Sequence, residues 1–362
     1  MESLKYIEFP GGNKYLGFMK NNHFNGFCII KYPNGDIFKG ELKDDNKDGY
    51  GIYEFKENGD RYEGQFKNNN IDGYGKLMNE NGDIYEGEFK NNYLDGIVIY
   101  KNDKGKIFEG TYKNGQENGI CRIKYSSGQI YEGEKIDDIK NSYGIHHFPN
   151  GNIYKGEFKN NKFEGYGFST IVSFGVKYFG QYKNGKKNGF GIYTTDNYQY
   201  IGQFKDSKFH GYGKQIYKNN SKYEGEFFMG SYHGYGIFTF YDGNQYEGQF
   251  EDNLKKGIGI FKFHWGDLFE GEFEDDKRNG VGMYKTVNGD VYNGEAKDDL
   301  MHGFGELILA DGEKYEGEFE YGEKTGYGKY TSCDGKVEEK IAKNNNPFME
   351  KVIHDFENFL YD

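Results

Sequence analysis

Residues 62–84 read Tyr62-Glu63-Gly64-Gln65-Phe66, a polar run from Lys67 to Asp72, then Gly73-Tyr74-Gly75-Lys76-Leu77-Met78, then Asn81-Gly82-Asp83. The first five residues alternate, so Tyr62, Gly64 and Phe66 share one face of a strand and Glu63 and Gln65 the other. The polar run reads as a loop that reverses the chain, and Gly73 to Met78 as the returning strand. Asn81-Gly82 reads as the next turn, because both residues accept the positive φ that tight hairpins demand. One such hairpin cannot bury its rings, whereas stacked copies bury a continuous row.

Outward from this stretch the same frame recurs along the chain. Its leading aromatic is Tyr15, Phe38, Tyr62, Tyr85, Phe108, Tyr131, Tyr154, Tyr178, Tyr200, Tyr223, Tyr246, Phe269, Tyr292 and Tyr315. Two residues after each stands a glycine: Gly17, Gly40, Gly64, Gly87, Gly110, Gly133, Gly156, Gly180, Gly202, Gly225, Gly248, Gly271, Gly294 and Gly317. The spacing is 23 residues, except for 24 after Phe38 and Tyr154 and 22 after Tyr178. The later Gly-x-Gly is intact in ten of the fourteen units, and Cys28, Val98 and Cys121 stand in the slot of its second glycine. These three read as small residues filling that slot. A strand glycine leaves a hole across which a neighbouring ring can lie flat, so the aromatics and glycines read as packing residues. The predicted fold is all-β: an elongated, twisted, antiparallel single-sheet ribbon of stacked hairpins.

Residues 1–14 read as an N-terminal half repeat, 15–337 as fourteen repeats, and 338–362 as a degenerate end. There Glu338 takes the aromatic position and Lys340 the glycine position. Asn346-Pro347 has the form of a helix start. Phe348, Val352, Phe356 and Leu360 follow at helical spacing, which predicts a short helix that caps the last hairpin or binds a partner.

Composition agrees with strands and turns: 56 glycines, 19% aromatics and only three alanines. Sixty-eight Phe, Tyr and Trp residues are too large an apolar load for a disordered chain. Residues 1–245 carry 32 Lys+Arg against 31 Asp+Glu, whereas 246–362 carry 14 against 27. No basic stripe exists for nucleic acid, and the acidic third is repelled by anionic lipid, leaving any membrane contact to the N-terminal repeats. Three cysteines make no disulfide framework, and neither a signal segment nor an 18-residue apolar run is present. A soluble, cytoplasmic chain without a lipid anchor is expected. An enzyme is not: the repeats leave no room for a catalytic domain. The Gly-x-Gly pairs never extend into a dinucleotide fingerprint or a Gly-Lys-Ser/Thr phosphate loop.

The segments Tyr85-Glu86-Gly87-Glu88-Phe89-Lys90-Asn91-Asn92 with Asp95-Gly96, and Tyr62 to Phe66 with Gly73-Tyr74-Gly75, resemble MORN (membrane occupation and recognition nexus) repeats. The resemblance covers residues 15–337, and a chain made only of such repeats resembles the all-repeat members of apicomplexan parasites. That resemblance implies a cytoskeletal scaffold near the inner membrane complex and the basal ring used in budding and cytokinesis. It implies homotypic and heterotypic protein contacts with other cytoskeletal proteins. The family's name implies the alternative, a peripheral module binding phosphoinositide headgroups.

Open sheet ends favour pairing, and a closed two-fold dimer is the commonest outcome. The irregular end places that homodimer contact on the C-terminal repeats, with Tyr292, His302, Tyr315 and Cys333 as its candidate residues. The one metal reading is a zinc held by Cys333 and His302, which needs two chains because the two residues belong to opposite sheet edges. No other cofactor is expected. His210, His233 and His302 share one loop position, read as a solvated edge. The aromatic row carries two readings, a groove for a peptide, helix or lipid chain, or rings consumed in packing.

Overall fold

A computed structural model describes residues 3–342. They form thirty strands and one 3-10 turn, Val172–Phe174, with no α-helix among the described residues. The helix expected after Asn346 lies outside them. The chain divides into two compact units, Met1–Lys186 and Lys187–Asp362. In the first, antiparallel pairs run in chain order from Ser3–Glu8 with Lys14–Lys20 to Lys162–Ile171 with Val176–Lys183. The second runs from Lys186–Thr194 with Tyr198–Lys205 to Glu323–Thr331 with Val337–Ile341. This last strand forms although Glu338 and Lys340 replace the aromatic and the glycine, because ladder bonds need only backbone. All five of its residues are exposed.

The hairpin from Tyr62 shows how each unit is made. Its strands are Arg61–Lys67 and Asn70–Met78. The polar run is therefore not a loop, and the returning strand starts three residues earlier than expected. Asn68 and Asn69, with φ of 48° and 68°, make a two-residue turn. Asn and Asp tolerate this left-handed region better than other side chains, which is why Asn-Asn and Asp-Asp pairs recur there. At Asn81-Gly82 only the glycine is left-handed, with φ of 88°. That longer turn closes through Asn79 N–H to the Asp83 carbonyl (2.9 Å) and Gly82 N–H to the Asn79 carbonyl (3.0 Å).

Between the turns lies a bulge. Gly64 faces Gly75 and Phe66 faces Ile71, so Gln65 stands opposite three residues. Its polar groups find partners locally: the Tyr62 hydroxyl donates to the Gln65 carbonyl (3.0 Å), and Gln65 Oε1 accepts the Tyr74 N–H (3.1 Å). The same closure recurs at Tyr154 with Glu157 (2.7 Å and 3.0 Å). A bulge that would expose backbone is thus sealed by the leading tyrosine from one face and a Glu or Gln from the other.

Both edges are tied from unit to unit. On one, Asn69 Oδ1 accepts the Lys47 N–H (2.9 Å) and Asn92 Oδ1 the Ile71 N–H (2.8 Å). On the other, Asp36 Oδ1 accepts the Lys56 N–H (2.8 Å) and Asp267 Oδ1 the Val287 N–H (2.8 Å).

The core is a row of rings seated on paired glycines. A Cβ added at Gly64 or at Gly75 would come within 3.0 Å of the Tyr62 ring. Thirteen of the fourteen leading aromatics are 3% exposed or less, and Tyr85 alone is half-buried. Opposite Gly87 stands the fully buried Val98. Its side chain takes the space over the glycine, and Tyr85 stacks instead on Tyr100 with centroids 4.6 Å apart. Val98 is thus too large to be a neutral filler of the glycine slot. Cys28 is small enough, and the Tyr15 ring still covers Gly17.

Gly75→Val should reproduce at Tyr62 what Val98 does at Tyr85, at about 1–3 kcal/mol of stability for an overpacked site. Urea unfolding of the variant, followed by Tyr fluorescence, measures this; an unchanged midpoint means the ring does not depend on the glycine.

Candidate functional site

The ring-bearing face is continuous across hairpins. In the hairpins led by Tyr223 and Tyr246 the leading ring meets, edge to face, the aromatic four residues later in its own hairpin and its counterpart in the next. Tyr223 lies 5.1 Å from both Phe227 and Phe250, and Tyr246 lies 5.0 Å from Phe250 and 4.9 Å from Phe273. Interplanar angles of 78–90° are those at which a positive ring edge meets a negative face.

The ninth residue after the leading aromatic lies on that ring's outer side. Phe163, Phe209 and Tyr232 stack flat on Tyr154, Tyr200 and Tyr223 at 3.6, 3.8 and 3.8 Å. In six hairpins the position holds a cation instead: Lys47, Lys140, Lys187, Lys255, Arg278 or Lys324. Lys140 Nζ sits 4.5 Å from the Tyr131 centroid and 5.2 Å from that of Tyr125. Ring faces attract ammonium, so a cation substitutes for a stacked ring here. Burial, reinforced by the charge of Lys135, pushes the Lys140 amine down to about 8, and burial alone brings Lys187 to about 8. Ile71, Leu94 and Met301 hold the position in three more, and Glu117 is the one acidic residue there. It is buried and answered by Lys135, which replaces the ring four residues after Tyr131, and by Lys106 at 3.2 Å.

In the second unit this face opens into a groove of about 690 Å³, walled by Phe238, Phe240, Phe261 and Phe263. Lys255 and Arg278 reach into it, and Asp275, Asp276, Asp298 and Asp299 rim it. Arg278 donates from Nε to Asp299 Oδ1 at 3.2 Å. Apolar walls with a few convergent charges are the make-up of a binding groove. A second hollow of about 270 Å³ lies beside Tyr315, Lys324, Tyr330 and Lys336.

Of the residues singled out for a C-terminal contact, Tyr292 and Tyr315 are buried packing rings at 3% and 1% exposure. Their hydroxyls donate to the carbonyls of Glu295 (2.7 Å) and Glu318 (3.1 Å). His302 sits near one end of the strand Leu300–Ile308, with Tyr321 at 5.6 Å, and its Nδ1 has no partner. Cys333 is exposed in the turn after Thr331, at the other edge. The four are not brought together within one chain, and no group of three metal-ligating side chains occurs among the described residues. Cys28 and Cys121 are buried, with thiols pushed up to about 12 and about 11 by burial, which makes them poor nucleophiles.

One feature of the opposite face went unread in the sequence. The residue between the two glycine positions is Phe27, Tyr50, Tyr74, Ile97, Ile120, Tyr143 and Tyr166 in the first unit. In the second it is Phe190, Tyr212, Tyr235, Ile258, Val281, Phe304 and Tyr327. Every one is exposed, from 52% at Tyr143 to 79% at Ile120. The signal was available, because the x of Gly-x-Gly is apolar or Tyr in all fourteen units.

The titrations give stability a two-signed pH dependence. Between about pH 8 and 10 the unfolded chain keeps protons on Lys140 and Lys187 that the folded chain has released, so stability rises with pH. Above pH 10 the unfolded chain releases phenol protons that buried tyrosines retain, Tyr15 and Tyr315 being pushed up to about 12. Stability then falls. Urea midpoints at half-unit steps from pH 7 to 11 should pass through a maximum near 10, and Lys140→Met should flatten the rising limb.

No curated protein matches the chain. Among solved structures, the SAS-4 (dCPAP) TCP domain of Drosophila melanogaster, in complex with a proline-rich motif of Ana2 (dSTIL), is 16% identical. It covers 50% of this chain and 90% of its own, at a TM-score of 0.29. The TCP10 domain of Danio rerio CPAP is 11% identical over 69% and 94%, at 0.19. Virginiamycin B lyase from Staphylococcus aureus is 12% identical over 95% and 90%, at 0.13. No shared fold follows from scores this low. The MORN repeat family model, by contrast, matches fourteen consecutive stretches from 15–37 and 38–59 to 292–314 and 315–337. With fourteen such matches between residues 15 and 337, the chain belongs to the MORN repeat family.

Proposed function

We propose that the chain is a non-catalytic cytoskeletal scaffold that joins copies of itself and other cytoskeletal proteins. The observation that carries this reading is the strand Val337–Ile341. It pairs with Glu323–Thr331 on one side, and no strand among the described residues pairs with its other side. A row of unpaired N–H and C=O groups recruits another strand, most often from a two-fold mate. With Tyr292 and Tyr315 buried and two strands between this edge and the strand of His302, the C-terminal contact falls to the edge and to Cys333 in the turn before it. The resemblance to all-repeat parasite proteins supports a cytoplasmic place at the inner membrane complex and the basal ring during budding. Direct phosphoinositide binding has less support. Lys47 and Lys140, the N-terminal lysines nearest the ring row, point their ammonium groups at ring faces, with Nζ 4.5 Å from the Tyr53 and Tyr131 centroids.

Light scattering on the eluting full chain should give the mass of two copies, and Val337→Lys with Ile341→Lys the mass of one. A single-copy mass for the unaltered protein, or a two-copy mass for the variant, removes the edge as the contact. Vesicles containing phosphatidylinositol bisphosphate should leave the protein in the supernatant at physiological salt; salt-sensitive pelleting would restore the lipid reading.

A further inference from the structure

The exposed row on the face opposite the rings has a register of its own. In the second unit Tyr212 pairs with Glu226, Tyr235 with Gln249, Ile258 with Glu272 and Val281 with Glu295. Apolar and acidic or amide side chains therefore alternate from strand to strand. Strands lie about 4.8 Å apart, so successive apolar members stand about 9.6 Å apart. Tyr212, Tyr235, Ile258 and Val281 are 53–61% exposed.

Three kinds of occupant have a fitting shape. A second copy of the same face would set Glu272 and its neighbours against each other, and an anionic bilayer would meet the same carboxylates. An α-helix presents one side every seven residues, about 10.5 Å, and loses step by about 0.9 Å per repeat. A polyproline II segment has three residues per turn at about 3.1 Å each, so every third residue recurs at about 9.3 Å. Glu226, Glu270 and Glu272 have no ion pair among the described residues, and the carboxylates of Glu226 and Glu272 are held by backbone N–H groups of Tyr235 and Val281 at 3.5 and 3.4 Å. Glu226 and Glu272 are fixed anions within the row, and Glu270 shares their face two residues from Glu272.

We propose that the row Tyr212–Tyr235–Ile258–Val281, with Glu226 and Glu272 between its members, docks a cationic polyproline II segment that places an apolar residue on each member in turn. The segment spans about ten residues. Its prolines pack against the exposed side chains, and its Lys or Arg residues face the carboxylates. The assignment rests on spacing and charge on this face. It adds a partner class to the scaffold reading without using the edge strand, so the two fail separately.

The test is fluorescence anisotropy on the full chain with the labelled peptide (Pro-Pro-Lys)6, against (Gly-Ser-Lys)6 of equal charge and a cationic heptad helix. The first should bind at least about tenfold more tightly than either. Tyr235→Ser with Ile258→Ser, and separately Glu270→Lys, should each weaken it about tenfold while leaving circular dichroism unchanged. The Glu270 side chain makes no hydrogen bond or ion pair among the described residues, so that variant folds even if the double one does not. Equal affinity for the two lysine peptides, preference for the helix, or indifference to Glu270→Lys would overturn the proposal. So would a change in chain mass on Tyr235→Ser, which would assign the row to a second copy.

Discussion

Everything in this fold follows from an aromatic ring lying flat on a pair of facing glycines. The pair must be in register, so Gly64 has to meet Gly75 across the hairpin, and the two-residue turn at Asn68-Asn69 can deliver that register only with a bulge between. The bulge leaves the Gln65 carbonyl without a ladder partner, and the ring that demanded the register supplies the hydroxyl that satisfies it. Position, turn and bulge are one solution. In the hairpins led by Phe38, Phe108 and Phe269 that hydroxyl is missing, so the ring's seat carries more of the constraint than its hydrogen bond.

The period and the alternation of Tyr62, Gly64 and Phe66 were legible because strand faces repeat every second residue and the hairpin every 23. The polar run Lys67–Asp72 was misread as a loop because polarity marks exposure, and an edge turn with a bulge is as exposed as a loop. That Asn68 and Asn69 both take positive φ is a backbone fact that Asn-Asn signals only weakly beside Asn-Gly. Val98 was misread by size. A valine differs from cysteine by one branch, yet that branch occupies the volume the Tyr85 ring needs, and nothing local in sequence states how little room a seated ring leaves.

The ninth-residue position explains why lysines stand on a face otherwise made of rings. A flat ring offers its outer side either to another ring or to a cation, and Phe209 and Lys255 are alternative answers to the same surface. Burial penalises the charge while the ring quadrupole attracts it, so these amines are not ordinary surface lysines. The consequence for function is that most of this face is already occupied by the protein itself. Where ring and cation fail to fill it, around Phe240 and Phe261, a groove of about 690 Å³ remains.

The opposite face poses the reverse question, since its apolar row is covered by nothing among the described residues. Strand propensity alone does not account for it. Threonine suits a pleated surface as well as valine or isoleucine and lies in water at no hydrophobic cost, yet none of the fourteen x positions holds one. Nor does glycine shielding account for it, because the rings that cover the glycines lie on the other side of the sheet. A contiguous exposed apolar row is a solubility burden, and fixed carboxylates between its members reduce that burden while narrowing what can bind. The alternation of Tyr235, Gln249, Ile258 and Glu272 is what a surface needs if it is to attract one kind of extended cationic chain and repel further copies of itself.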